Sequence, residues 1–223
     1  ATRPWFFHTA GPNRIVQTQP NTAYGSVPGD DQPQQPNAYI NFDNPNGYVV
    51  TPVQRAAIEG WFKGFEDVLY NDALWRHPTN GYRRHLDTAD FIDYFILNTL
   101  TRNGDGLLIS MFPWKGDDGR LRMGPAWDYN WSSYYVSGGP TGGLLHRSDR
   151  LWYPRLFADP DFHQSYIDRW WELRRGPLAN TAMEAVIDAQ AADITPAKAL
   201  LNGMPGTTEW ASRLGQMKSW LRQ

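Results

Sequence analysis

From Thr51 onward, apolar residues recur at three- and four-residue spacing, the period of a helix with one buried face. Ile58, Trp61, Phe62, Phe65, Val68 and Leu69 form the first stripe. Thr51 is placed to cap this helix, with Pro52 at the first helical position, where a missing N–H costs nothing. A second helix is predicted from Asp87 or Thr88. Its Phe91, Tyr94, Phe95, Ile96 and Leu100 cover much of the circumference, the pattern of a central buried helix. It is expected to stop at "NGDG", broken by Gly104 and Gly106. The period then changes. "LLISMF" and "RLRMG" flank "KGDDG", whose glycines and aspartates suit a tight turn, so a β-hairpin is predicted. Pro125 is expected to hold Gly124 extended, and Trp127 to lie buried beneath the hairpin.

Beyond the loop "SGGPTGG" the chain reads as helical again. "DPDFHQSYIDRWWELRR" offers Asp159 as cap and Pro160 at the first position, and "TTEWASRLGQMKSWLRQ" puts Trp210, Leu214, Met217 and Leu221 on one stripe. Residues 1–50 differ. They are rich in Pro, Asn, Gln, Gly and Asp and bury too little apolar surface to offset their ordering entropy. This segment is expected to be extended and loop-rich, with short strands at "RPWFFHT" and "AYINF". The fold class that follows is α+β, mainly α-helical, with residues 51–223 as the helical unit.

Composition narrows the function. Of 223 residues, 41% are apolar and 20% charged, within the globular range. A net charge of −2 and the lack of a basic run argue against a nucleic-acid partner. No apolar run is long enough for a membrane span. The absence of cysteine excludes disulfides, thiolate zinc sites and cysteine nucleophiles. The five histidines show no metal-binding spacing, and His146 reads most simply as a loop residue. Ser132 and Ser133 lack a nucleophile elbow. Asp117 and Asp118 read as turn residues, and Asp90 and Asp93 as solvent-facing. Among 11 tryptophans, Trp61, Trp170, Trp210 and Trp220 fall on core stripes. Trp5, Trp75, Trp114, Trp131 and Trp152 lie near loops, where exposed rings could grip a glycan.

The chemistry concentrates at the hairpin. Asp105 sits in a glycine-flanked turn before it, and Asp128 follows its second strand, 23 residues on. A hairpin returns the chain to its starting point, so the two carboxylates can converge, and convergent carboxylates call for a cation between them. Magnesium with phosphate is the usual such partner. Spacing alone leaves open that both are plain turn residues, since aspartate is common in turns.

"YFILNTLTRNGDG" followed by "GRLRMGPAWDYNW" resembles the signature of the CotH kinase family, atypical protein kinases named after spore coat protein H. That signature has an Asn near a helix end, an N-x-D turn, a strand and then GP-x-WD-F-D. Asn98, Asn103, Asp105, Gly124, Pro125, Trp127 and Asp128 carry it here, and the likeness spans about residues 50 to 190. The resemblance implies an atypical protein-kinase-like large lobe with the hairpin at its active edge. It also implies phosphoryl transfer from ATP, with Mg2+ or Mn2+, to serine or threonine hydroxyls of a protein substrate. Asp105 would be the catalytic residue and Asp128 the main metal ligand and cofactor contact. Ser110 would be a further cofactor contact and Asn130 a weaker metal ligand.

Two departures stand out. Asn130 occupies a position that is usually Asp in the family, which removes a negative charge. Ser110 stands where many members carry Asn. Moreover, no strand lysine precedes Asp105 to pair the α/β-phosphates: Lys63 is read as helical, Lys115 as part of the hairpin turn, and Lys198 and Lys218 come late. The chain is therefore expected to be the C-terminal portion of a longer protein, with residues 1–50 leading to an N-terminal lobe from the same precursor. It is expected to transfer phosphate poorly alone. The competing expectations are a pseudokinase, or a glycan- or protein-binding module of a secreted or cell-surface protein. The expected location is extracellular or the cell surface, with the cytoplasm left open.

Overall fold

Thr51 starts the first helix as its sequence suggests. Its hydroxyl accepts the Gln54 N–H at 3.3 Å, while Gln54 Oε1 accepts the Thr51 N–H at 2.9 Å. This reciprocal pair is a capping box, and α1 then runs Pro52–Leu69. The computed structural model describes residues 5–10 and 39–44 as strand backbone, together with residues 50–107, 110–129, 133, 151–194 and 207–222. Among the described residues five further α-helices follow: α2 (Thr88–Thr101), α3 (Tyr153–Phe157), α4 (Pro160–Arg174), α5 (Asn180–Ala192) and α6 (Thr207–Leu221). The fold is α+β and mainly helical. Among the described residues no helix is long and apolar enough to cross a membrane.

The core is aromatic. Ile58, Phe62, Phe65 and Leu69 of α1 face Phe91 and Phe95 of α2, with Trp152, Tyr153 and Leu156 from the α3 region filling the space between them. The Trp152 ring centroid lies 5.2 Å from Phe65 and 6.2 Å from Phe91. Its indole Nε1 donates to Glu66 Oε1 at 3.0 Å, so the otherwise costly buried Glu66 has a partner. Trp152 and Trp75 are therefore core residues, against the expectation of exposed loop rings. Trp75 stacks on Tyr82, and the Arg155 guanidinium covers it at 3.9 Å. Trp5 and Trp131 lie outside the residues whose side chains are described.

Helix α6 docks where α2 ends. Trp220 Nε1 donates to the Leu100 carbonyl at 3.1 Å, satisfying one of the carbonyls that a helix end leaves without an intrahelical partner. Leu100, Trp220 and Leu221 form a second, smaller cluster beside that contact. Asp93, expected to face solvent, instead forms a two-pronged ion pair with Arg169 of α4 at 2.7 and 2.9 Å. A fork-to-carboxylate pair of this kind sets orientation as well as energy.

The sheet has four antiparallel strands in the order β2–β1–β3–β4: β1 (Trp5–Ala10), β2 (Tyr39–Asn44), β3 (Trp114–Lys115) and β4 (Leu121–Arg122). Both strands expected in the first 50 residues are present, and β1 pairs directly with the hairpin. The hairpin is shorter than expected. Asp105–Leu107 is a 3₁₀ turn, and β3 begins only at Trp114, after Pro113, which cannot donate to a ladder. Lys115 belongs to β3 and not to the turn. The turn is held by Asp118, which accepts the Arg120 N–H at 3.1 Å and a bidentate Arg122 guanidinium at 2.9 and 2.6 Å.

Glycines make the first test. In the interior of α1, a Cβ added at Gly64 meets nothing within 4 Å. Gly64→Ala should therefore stabilise the fold by about 0.5–1 kcal/mol, because alanine has less backbone entropy to lose. At Gly81 a Cβ would fall 2.4 Å from the Trp75 carbonyl and 2.5 Å from that of His77. Gly81→Ala should destabilise by about 1–3 kcal/mol. Urea melts of the two variants should shift in opposite directions, and a shared direction would contradict the packing described.

Candidate active site at the end of helix α2

Helix α2 is terminated by Arg102, not by a glycine. Arg102 adopts φ 55°, in the left-handed region, and its N–H bonds the Thr99 carbonyl while that of Asn103 reaches back to Asn98 at 2.9 Å. This is a Schellman-type ending with an arginine where glycine is usual. The Arg102 guanidinium lies 5.5 Å from the centre of the Trp220 ring, a cation–π contact that helps hold the unusual residue in place.

The turn that follows is built around two asparagine amides. Asn103 Oδ1 accepts the Gly106 N–H at 3.0 Å. Asn98 Nδ2 donates to the Tyr94 carbonyl at 2.8 Å, and Asn98 Oδ1 accepts the Tyr129 hydroxyl at 3.1 Å. Tyr94 donates its own hydroxyl to the Gly106 carbonyl at 2.7 Å. The Ser110 N–H bonds the Asp105 carbonyl at 2.9 Å and closes the loop. There is no room for a side chain at residue 106. A Cβ there would sit 1.8 Å from Asn98 Oδ1 and 2.8 Å from Asn103 Nδ2.

Asp105 opens this turn and is half-buried, and Ser110 is buried five residues on. Asp128 is half-buried and holds φ 60°, a left-handed conformation that costs an L-residue on the order of 1 kcal/mol. Such outliers cluster at functional sites because the surrounding structure must hold them. Asn130 and His146 lie outside the described residues. The structure thus ties Ser110 to Asp105 through the backbone. It also ties the segment of Asp128 to the same turn through its neighbour Tyr129.

The path from the hairpin to Asp128 is anchored at its start. The Met123 N–H donates to the Asp90 carboxylate, and the backbone of Leu121 bonds His85 and Asp87 at 2.8 and 3.0 Å. Asp90 is therefore a strut between α2 and β4, not a solvated surface residue. Next comes Gly124 with φ 114°, open to glycine but not to the extended conformation expected beside Pro125. This turn sends Pro125, Ala126 and Trp127 outward. Trp127 is 55% exposed and rests edge-on against Phe112 at 5.5 Å, while Met111, Leu121 and Met123 belong to the buried core. The expectation of a buried Trp127 is corrected accordingly.

Burial raises the Tyr129 phenol to about 12, against hydrogen bonds with Asn103 and Asn98 that lower it. The group stays protonated, and so remains a donor, at any ordinary pH. Burial pushes Tyr94 up in the same way. Asp90 is raised mainly by burial, opposed by the Met123 N–H. Among the described residues no cluster of three or more His, Asp or Glu side chains is arranged to hold a metal ion. The donor set of Asp105 and Asp128 nonetheless suits Mg2+, a hard cation that proteins commonly hold through one or two carboxylates plus substrate phosphates and water.

Tyr129 and Asp90 were not identifiable as site supports from sequence. Their partners lie 31 and 33 positions away, and only the fold brings them together.

The family model described as CotH kinase protein matches residues 26–223. That match includes the central motif and extends beyond it at both ends, into the loop-rich segment and through α6. A search among curated proteins finds no significant match.

Two variants test this geometry. Gly106→Ala should cost about 1–3 kcal/mol by pushing both asparagine amides out of place, read as a fall in the denaturation midpoint. An unchanged midpoint would mean that the turn is not as tight as described. Asp90→Asn keeps an acceptor for the Met123 N–H and removes a charge that burial disfavours. A carboxyl raised in the folded state contributes stability below its unfolded pKa and loses it as pH rises through the folded value. The variant should therefore melt above the parent at pH 7, with the gain vanishing below about pH 4. A parent that is the more stable at pH 7 would contradict this.

Proposed function

We propose that this chain, which belongs to the CotH kinase family, takes part in transferring the γ-phosphoryl group of ATP to a serine or threonine hydroxyl of a protein. The observation that carries this reading is the Tyr129–Asn98 hydrogen bond, which draws the Asp128 segment against the turn that holds Asp105. Phosphoryl transfer relies on positioning and charge neutralisation more than on covalent chemistry, so a hydrogen-bonded turn carrying Asp105, tied to the segment that carries Asp128, is a suitable framework.

In the proposed step the substrate oxygen forms a bond to the γ-phosphorus, and the bond to the β–γ bridging oxygen breaks to release ADP. Asp105 orients the attacking hydroxyl and takes its proton. Asp128 is the main ligand for Mg2+ or Mn2+, with Asn130 as a weaker ligand and Ser110 as a further contact to the metal–nucleotide group. The bound cation supplies neutralising charge to the phosphates. An N-terminal lobe of the same precursor is proposed to supply the cation for the α/β-phosphates, a protein is the proposed substrate, and the cell surface or the extracellular space is the proposed location of this chain. The second reading is a pseudokinase or binding module. It draws on the exposed Trp127 ring, which sits next to Asp128 and is available to a ligand.

The test is transfer of ³²P from γ-labelled ATP to protein, with Mg2+ or Mn2+, by this chain and by an N-terminally extended form. Asp105→Ala and Asp128→Ala should each lower the rate by about 10²–10⁴-fold in whichever form is active. Transfer that survives both substitutions would overturn the assignment. Inert protein in both forms, with saturable binding that Trp127→Ala abolishes, would favour the second reading.

A further inference from the structure

We infer that Tyr129 is a positioning residue, whose hydroxyl bond to Asn98 fixes the Asp128 carboxylate relative to the turn of Asp105. The inference rests on the metal-binding role proposed for Asp128. Asp128 occupies a left-handed conformation that relaxes unless its flanks are held. On the N-terminal side the anchored residue is Met123, and Pro125, Ala126 and Trp127 between it and Asp128 are all exposed. In that span the Trp127 ring packs edge-on against Phe112. On the C-terminal side the very next residue is tied down.

The tie leads to the backbone of the turn that holds the other aspartate. Tyr129 bonds Asn98, the Asn98 amide bonds the Tyr94 carbonyl, and the Tyr94 hydroxyl bonds the carbonyl of Gly106, which adjoins Asp105. Each connection is a side-chain hydrogen bond in buried or half-buried surroundings, where geometry is well defined and an unmade bond is costly. Asn98 is 1% exposed, so without the Tyr129 hydroxyl its Oδ1 loses a partner that water cannot readily replace.

Tyr129→Phe keeps the ring and deletes the bond. The test is a titration of the full chain with Mn2+ and a non-hydrolysable ATP analogue, following free Mn2+ by electron paramagnetic resonance. Parent, Tyr129→Phe, Asp128→Asn and the double variant are compared at pH 6.5 and 8.5, and each is first shown to melt cooperatively. Tyr129→Phe should weaken binding about three- to tenfold, equally at both pH values. It should add little once Asp128 is already Asn, because it acts through that carboxylate. Binding unchanged in Tyr129→Phe but weakened in Asp128→Asn would overturn the inference and leave the metal role of Asp128 standing. So would an effect of Tyr129→Phe that persists in full in the double variant, which is the mark of general destabilisation. Binding that is indifferent to Asp128→Asn would overturn the metal role and the inference together.

Discussion

The lack of a side chain at Gly106 lets the Asn98 amide lie against the backbone of the turn that follows α2. Nearly every feature of the site depends on that contact. A methyl group at this point would sit 1.8 Å from Asn98 Oδ1. With the space free, Asn98 can face two ways at once, bonding Tyr94 within its own helix and Tyr129 from the far side of the hairpin. A buried amide satisfied on both sides is one of the few devices that can fix two distant segments to within a few tenths of an ångström. Through this amide the residue after Asp128 is tied to the helix whose end leads into the turn of Asp105.

The rest of the fold serves to hold the end of α2 still. Trp152 fills the space between α1 and α2, with its polar edge satisfied by Glu66. The bidentate Arg169–Asp93 pair fixes α4 against the side of α2, and Trp220 of α6 closes its last turn. The hairpin reaches the same helix through Asp90 and through the backbone of His85 and Asp87. Among the described residues, left-handed non-glycine backbone occurs at Arg102, at the end of α2, at Asp128, next to Tyr129, and at Leu151, just before α3.

Much of this was legible in the sequence, and the losses have physical causes. The caps Thr51 and Asp159 are local signals, because a cap is decided by residues within one turn of it, and both were read correctly. The motif around Asp105 and Asp128 was legible because it is also local and carries family-specific spacing. Asp90, Asp93 and Trp152 were misjudged for the opposite reason. A carboxylate on the polar side of a helix looks solvated until the fold brings Met123 or Arg169 to it, and a loop tryptophan looks exposed until Glu66 receives its N–H. Trp127 fails in the other direction. Its apolar character argued for the core, but the chain turns at Gly124, φ 114°, and leaves the ring exposed. Asn130 lies outside the described residues, so its reading still rests on the motif alone.

The central claim is that Asp105 and Asp128 serve one cation–nucleotide site at the end of α2. Paramagnetic broadening tests it most directly. In ¹H–¹⁵N spectra of the chain, traces of Mn2+ added with a non-hydrolysable ATP analogue should broaden the amides of residues 104–106 and 127–129 together. Mg2+ in excess should restore them. Broadening of only one of these segments, or of acidic surface residues such as Asp117 and Asp188 instead, would show that the two aspartates do not share a site.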